Sequence, residues 1–352
     1  MRAWTVMESE KPLQLIDSPT PEPQGTEVLV QVSHCGVCHS DVHFWEGFLD
    51  LGGPEKTPLS AIGLSPPLVL GHEIFGTVVA LGPDAEGLGV KVGDRRIVFP
   101  WVGCGTCASC LAEEDNMCAQ GAAIGVRRSG GFGSHVIAPH PRHLVDAGDI
   151  DPATAATYAC SGLTVYSAIQ KLMPQPADSP IVVVGAGGLG LSAIEMLKAL
   201  GHRNIISVDV AEAKRRAALK AGASKAVDGS GEGVPDRIKE AAGGPVRAIL
   251  DVVNSTQTVA NDLACLGRGG KMALVGMFGG RLDMPLMTFP GQGIAILGNF
   301  VGNPKELREV VALAKAGKLK PIPVETRAKS EATRTLQELR DGKITGRVVL
   351  EG

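Results

Sequence analysis

The stretch Gly185-Ala186-Gly187-Gly188-Leu189-Gly190 constrains this chain more than any other part of it. It follows a continuous apolar run, Ile181-Val182-Val183-Val184, and opens a helical stretch from Leu191 to Leu200 that Gly201 stops. An unbroken β-branched run suits a parallel strand buried on both faces. The first glycine permits a tight turn, the second lets backbone approach a pyrophosphate, and the third lets helix and strand pack closely. The helix N-terminus adds unpaired N–H groups and partial positive charge for phosphates. Asp209 stands nineteen residues beyond Gly190, after a second strand, Ile205-Ile206-Ser207-Val208. A carboxylate there accepts hydrogen bonds from ribose hydroxyls and repels a 2′-phosphate. Val210 follows with no arginine to attract that phosphate, so the dinucleotide expected is NAD rather than NADP. The plain alternative is a glycine turn in an α/β domain that binds nothing.

Around this motif strands and helices alternate. A helix is expected from Glu212 to Lys220, and further strands at Ala248-Ile249-Leu250, Met272-Ala273-Leu274-Val275 and Ile294-Ala295-Ile296-Leu297. That alternation marks a doubly wound α/β domain. The first third has a different texture. Its short alternating runs, such as Glu27-Val28-Leu29-Val30-Gln31-Val32 and Phe75-Gly76-Thr77-Val78-Val79-Ala80, are punctuated by Gly and Pro and read as an irregular, mostly β domain. The C-terminal stretch holds two more helices and a closing strand, Arg347-Val348-Val349-Leu350. A chain of 352 residues is too long for one ordinary core, so two domains are expected. A net charge of −3, with no basic stripe, argues against a nucleic-acid partner. No apolar run reaches the ~20 residues of a membrane helix, and the N-terminus lacks a secretory signal, so no membrane partner and a cytoplasmic location are expected.

In a reducing compartment, eight cysteines call for a reading as metal ligands before disulfides. Cys104, Cys107, Cys110 and Cys118 form a C-x2-C-x2-C-x7-C array. Four thiolates on a short loop wrap a tetrahedral zinc and leave no open position, which makes a structural site. The alternative is a pair of disulfides. Cys38, His72 and Cys160 are far apart in the chain, and spacing does not join them. Each has a suggestive context: Cys38 beside the hydroxyl of Ser40, His72 against Glu73, and Cys160 just before the α/β domain. Two thiolates and an imidazole leave the fourth tetrahedral position open, as a catalytic zinc requires. Taken singly, each is as readily a buried cysteine or a structural histidine.

Together these motifs resemble the zinc-dependent medium-chain alcohol dehydrogenases of the two-zinc type. The likeness runs from Gly36-Val37-Cys38-His39-Ser40-Asp41 to Gly346-Arg347. It implies an α/β chain with a GroES-like, mostly-β catalytic domain and a doubly wound Rossmann coenzyme domain. Its parts would be a catalytic domain with the structural zinc lobe over residues 1–161, the NAD-binding domain over 162–297, and a C-terminal part over 298–352 that returns to the catalytic domain. The resemblance joins Cys38, His72 and Cys160 as catalytic zinc ligands, giving two zincs per subunit. It makes Ser40 the hydroxyl that takes the alcohol proton, His43 the relay to solvent and Glu73 a carboxylate able to swing toward the metal. His39 and Arg347 match positions at the cofactor pyrophosphate, Thr164, Val275 and Met277 positions near the nicotinamide, and Lys214 one near the adenosine ribose. The substrates implied are small alcohols and the aldehydes or ketones they yield, and the assembly a homotetramer or homodimer.

Two features depart from the family. The stretch from Gly47 to Pro67 is an insertion expected to overhang the mouth of the active site. Cys35 makes a C-x-x-C with Cys38 and, like Cys265, reads as a spare buried thiol. Among Phe44, Trp45, Phe48 and Trp101, only Trp101 reads as pocket lining. Two rival readings remain: a polyol or threonine dehydrogenase of the same superfamily, against which Cys160 argues, and a noncatalytic zinc and nucleotide sensor, against which the Ser40–His43 pair argues.

Overall fold

The structure is a computed structural model describing residues 1–352. Two sheets organise it. Six parallel strands stand in the order Lys225–Asp228, Ile205–Asp209, Ile181–Val184, Val246–Asp251, Leu266–Leu274, Ala295–Gly298. Numbered along the chain, this is the 3-2-1-4-5-6 order of the dinucleotide-binding fold. The central strand Ile181–Val184 is at most 5% exposed on either face, which is why it carries no polar residue. Burying each of its side chains contributes about 1.5–3 kcal/mol. The order in which successive strands are laid down reverses between Ile181–Val184 and Val246–Asp251, and ligands of such sheets settle at the carboxyl ends of the strands flanking that point.

The second sheet orders Val324–Ala328, Arg347–Glu351, Val28–Gly36, Glu73–Leu81, Arg95–Val98 and Leu144–Asp146, with His135–Ala138 also paired to Val28–Gly36. It is antiparallel except where Val324–Ala328 runs parallel to Arg347–Glu351. The last strands of the chain therefore complete a sheet begun near its start. Strand Val324–Ala328 is too polar on its exposed positions to have stood out in the sequence. The helices Pro152–Thr157 and Leu163–Leu172 connect the two halves, and one core of 39 buried residues runs unbroken from Phe75 and Phe99 through this connector to Leu250 and Ala273. A hinge between the halves thus has to move against packed side chains. No helix is long and apolar enough to cross a membrane.

The inserted stretch forms a small hairpin, Phe48–Leu49 paired with Thr57–Pro58, followed by a short 3-10 turn, Leu59–Ile62. Its tip meets the other half of the molecule. A Cβ on Gly52 would lie 2.5 Å from the Gly280 carbonyl oxygen, and one on Gly279 would lie 2.6 Å from Asp50 Cβ and its carbonyl oxygen. Both turns close against each other only because both carry glycine, at φ +75° and +85°. Gly279→Val should therefore lose more stability than the strain of a left-handed residue, about 1–2 kcal/mol, accounts for. Gly87→Val is the control, since Gly87 also has positive φ but meets nothing within 4 Å. Thermal unfolding, with limited proteolysis of the hairpin, measures the difference. Equal losses in the two variants would show that the contact carries no weight.

Candidate active site

Cys38 lies just beyond the strand Val28–Gly36 and caps the helix His39–Glu46. Its backbone N–H donates to Asp41 Oδ2 at 2.8 Å, and the other oxygen, Oδ1, accepts from Gly71 N at 3.1 Å. The same Oδ1 stands 3.4 Å from Nδ1 of His72. Asp41 is fully buried and thus fixes the loop before Glu73–Leu81 against the helix that follows Cys38. Gly71, at φ +92°, allows this approach, because a Cβ there would crowd Cys35 Sγ and the Phe132 ring at 2.6 Å. Cys35 is buried at 0% exposure, and burial pushes its thiol up, as suits a packed, unreactive cysteine. Cys160 arrives from the connector, in a π-helical turn, Tyr158–Gly162, whose five residues are all buried. Such wide turns recur at functional sites because the extra residue re-aims a side chain.

These elements bring together what the sequence left scattered. One donor atom from each of Cys38, His72, Glu73 and Cys160 lies within 4.8 Å of the others. His72 Nε2 is buried with no hydrogen-bond partner in the protein. Burial works against charge on His72, but Asp41 and Cys38 override it and raise its pKa well above the ordinary value. The cysteine sulfurs and the Asp41 carboxylate beside this imidazole make the pocket one that suits a cation. Two sulfurs and a nitrogen suit zinc, and the Asp41 carboxylate stands behind the imidazole on its Nδ1 side. Glu73, in the same cluster, has both oxygens engaged: Oε1 accepts from Ser161 N at 3.1 Å, and Oε2 is paired with the Arg347 guanidinium.

The second donor set fits zinc as well. Cys107 Sγ is 3.5 Å from Cys110 Sγ and 3.7 Å from Cys118 Sγ, and Cys104 Sγ is 4.0 Å from Cys110 Sγ. Ligands of a tetrahedral zinc at ~2.3 Å stand about 3.8 Å apart, whereas a disulfide needs about 2.05 Å. Backbone and hydroxyl donors from Thr106 hold the Cys104 thiol down to about 6, while burial pushes Cys110 up to about 12. All eight cysteines are free.

The dinucleotide turn sits beside the first donor set. Gly185 has φ +96°, and a Cβ on Gly190 would overlap the Gly185 carbonyl oxygen. Gly187 has open space around its Cβ position, which leaves room for a phosphate on the uncapped N-terminus of helix Gly188–Ala199. Asp209 ends its strand with Oδ2 accepting from Ala186 N at 2.8 Å and Oδ1 from Ala211 N at 2.9 Å. The absence of an arginine at this turn, argued from Val210, does not hold in three dimensions. Arg215 folds back from its helix, donates to the Asp209 and Val210 carbonyls at 2.9 and 2.8 Å, and pairs with Asp228 at 3.1 Å. Its charge is thereby already engaged. Lys214, on the same helix, is half-buried; burial lowers the pKa of His39, and the charges of Arg347, His43 and Lys214 add to that.

Around the junction, Ser40 Oγ lies 3.9 Å from Cys38 Sγ and 3.8 Å from Met277 Sδ. Thr164 Oγ1 is 3.9 Å from Cys160 Sγ, and the His39 ring is 5.8 Å from that of Phe278. Val275 and Leu189 pack on the main core. Arg347 is only 3% exposed and lies under Gly188, where a Cβ would overlap its Cδ; its charge goes to Glu73. The Trp101 ring lies 5.2 Å from the His72 ring at a tilt of 52°, with Phe300 edge-on at 6.0 Å beyond it. Trp45 is core, its Nε1 donating to Lys11 O. Sequence reasoning missed Asp41, Phe278 and Phe300. For Asp41 a signal existed, a carboxylate three residues into a helix whose cap is a metal-type cysteine.

A structure of this kind, with a doubly wound nucleotide sheet, two zinc-type donor sets and a hydroxyl at their junction, is that of a zinc-binding dehydrogenase. Residues 188–316 match the family of zinc-binding dehydrogenases, and residues 24–149 match the alcohol dehydrogenase GroES-like domain. An NAD-dependent alcohol dehydrogenase of Sulfurisphaera tokodaii is 35% identical, covering 99% of both chains. A D-arabinose 1-dehydrogenase (NADP(+)) of Saccharolobus solfataricus is 30% identical over 99% of this chain and 97% of that one. The crystal structure of the alcohol dehydrogenase from Aeropyrum pernix superimposes with a TM-score of 0.89 at 31% identity, covering all of both chains. The chain belongs to the zinc-dependent medium-chain alcohol dehydrogenase family.

Asp41→Asn should lower zinc affinity at Cys38, His72 and Cys160 by about 10–100-fold, the cost typical of losing a carboxylate behind a histidine ligand. The Cys104–Cys118 site should keep its metal. Metal analysis during stepwise chelation reads both sites, and release of both metals together would show that Asp41 acts on the fold rather than on His72.

Proposed function

We propose that this chain reversibly oxidises a primary or secondary alcohol to its aldehyde or ketone, with hydride transfer to NAD. The observation that carries the reading is the Ser40 hydroxyl, which lies between Cys38 Sγ and Met277 Sδ, where the donor set meets the coenzyme half. Zinc bound by Cys38, His72 and Cys160 supplies a Lewis acid that makes the alcohol proton acidic near neutral pH. NAD on the Gly185–Gly190 turn, with its adenosine ribose at Asp209, supplies the hydride acceptor. A second zinc on Cys104, Cys107, Cys110 and Cys118 has a structural role.

The chain's own residues then handle position and proton. Trp101 walls the substrate side of His72, so an apolar alcohol meets an aromatic face. Ser40 takes the alcohol proton as it gives up its own, and His43, on the same short helix, accepts that proton and passes it to solvent. Burial lowers the His43 pKa, with Lys56 of the inserted hairpin adding to the shift, while Glu46, 3.9 Å from Nδ1, and Cys38 oppose it. His43 is therefore neutral, and able to accept, at pH 7. Alcohol oxidation should fall as pH drops through the His43 pKa, which lies below the ordinary 6.5, because the protonated ring cannot accept. His43→Gln should slow oxidation about tenfold or more at neutral pH and lose that acid limb, and added buffer base should restore part of the rate. Steady-state kinetics across pH tests this. An unchanged profile would remove His43 from the path.

We also infer a homo-oligomer, dimer or tetramer, in the cytoplasm. Eight free thiols suit a reducing compartment. The edge strand Ala295–Gly298 has one neighbour, and Leu286 and Met287, 82% and 75% exposed, precede it. Apolar side chains this open beside an unpaired edge call for a second copy of the chain. Replacing Leu286 and Met287 by Asp should shift the light-scattering mass toward the monomer, and an unchanged mass would move the interface elsewhere.

A further inference from the structure

The cleft beside Asp209 runs on into a cavity of about 130 Å³ bordered by Gly185, Val208 and Asp209 on one side and by Val253, Thr258 and Asp262 on the other. Branched aliphatic side chains make up half of its lining, with Asn261 and Gly229 completing it. Asp262, on helix Thr256–Cys265, is 1% exposed, and neither of its carboxyl oxygens has a hydrogen-bond partner among the protein's donors. An acidic group without a donor in an apolar wall is costly unless something arrives to meet it.

Its neighbour explains its state. Asp251 ends the strand Val246–Asp251 and is fully buried. Asp251 Oδ1 accepts from Val253 N and Asn254 N, both at 2.8 Å, and Oδ2 accepts from Thr258 Oγ1 at 2.8 Å. The two carboxyl groups lie close enough for the charge of one to bear on the other. Two such groups out of water cannot both be charged. Three donors keep the charge on Asp251, and Asp262 carries the shared proton; burial and the Asp251 charge both push Asp262 far above the carboxylate range. Its carbonyl oxygen stands at the cavity wall as an acceptor with nothing to accept.

We propose that Asp262 reads the base of the dinucleotide, its carbonyl oxygen accepting a hydrogen bond from the exocyclic 6-amino group of adenine. This rests on the reading of Gly185–Gly190 and Asp209 as the NAD cleft. The cavity opens from the residue assigned to the ribose, so the group that enters it is the one attached beyond that ribose. Aliphatic walls suit the faces of a purine, and the free acceptor suits an amino group. A base with an oxygen at the same position would set one acceptor against another.

Nicotinamide hypoxanthine dinucleotide, which carries that oxygen, supplies the test. Titration calorimetry of the zinc-loaded protein should show NAD binding at least about tenfold tighter than the analogue. Asp262→Ala should bring the two within about twofold, chiefly by weakening NAD. Asp262→Asn should keep the preference, because its carbonyl still faces the cavity. Equal affinities in the wild-type protein would overturn the role of Asp262, and need no variant to fold. A preference that survives in Asp262→Ala, folded by circular dichroism, would overturn it too. Failure of wild type to bind either dinucleotide would overturn the cofactor reading itself.

Discussion

The buried pair of Glu73 and Arg347 is the contact on which the rest of the cleft depends. Glu73 opens a strand of the catalytic sheet next to His72, and Arg347 opens the strand that returns from the far end of the chain. The remaining oxygen of Glu73 holds Ser161, the neighbour of Cys160, and the aliphatic stem of Arg347 lies under Gly188 at the dinucleotide turn. One ion pair thus fixes a metal donor loop, the π-helical turn and the start of the coenzyme helix relative to each other. Burial alone would neutralise Glu73, and the guanidinium opposes that. Losing either partner strands a charge in the interior, at a cost of about 3–5 kcal/mol. The pair is worth more as a locator than as a source of net stability.

A second set of contacts ties the coenzyme half to the catalytic half around the substrate. Met277 and Phe278 lean on Ser40 and His39, and the adjoining glycines meet the inserted hairpin. The hairpin was expected to overhang the mouth of the site. It reaches across to the turn at Gly279 and Gly280, and its Lys56 lies near His43. The insertion therefore touches the backbone of the coenzyme half as well as the helix that follows Cys38.

The thiolate lobe is also connected to the pocket. Asn116, within the cysteine loop, donates to the Phe300 carbonyl at 2.9 Å, and Phe300 packs edge-on against Trp101. Trp101 is three residues before Cys104 and packs against the His72 ring at a tilt. A metal site without an open position thereby holds the aromatic wall of one that has one, which gives a physical reason for a lobe distant in sequence from the catalytic residues.

What the sequence determined by itself was everything local in the chain. The apolar run before Gly185, the glycine spacing and the carboxylate at Asp209 are neighbours along the backbone, and so are the four cysteines from Cys104 to Cys118. Periodicity and ligand spacing read such features directly, and the parallel sheet and the tight sulfur cluster follow from them. Cys38, His72 and Cys160 were joined only through a family resemblance, because no local rule links positions so far apart. Their convergence is decided by the strand order of the catalytic sheet and by the π-helical turn. The same holds for Asp41 behind His72, for Arg347 turning inward to Glu73, for Arg215 folding back on Val210, and for the Asp251–Asp262 pair. Each depends on which buried charge finds which partner once water is gone, and that is settled by packing in three dimensions.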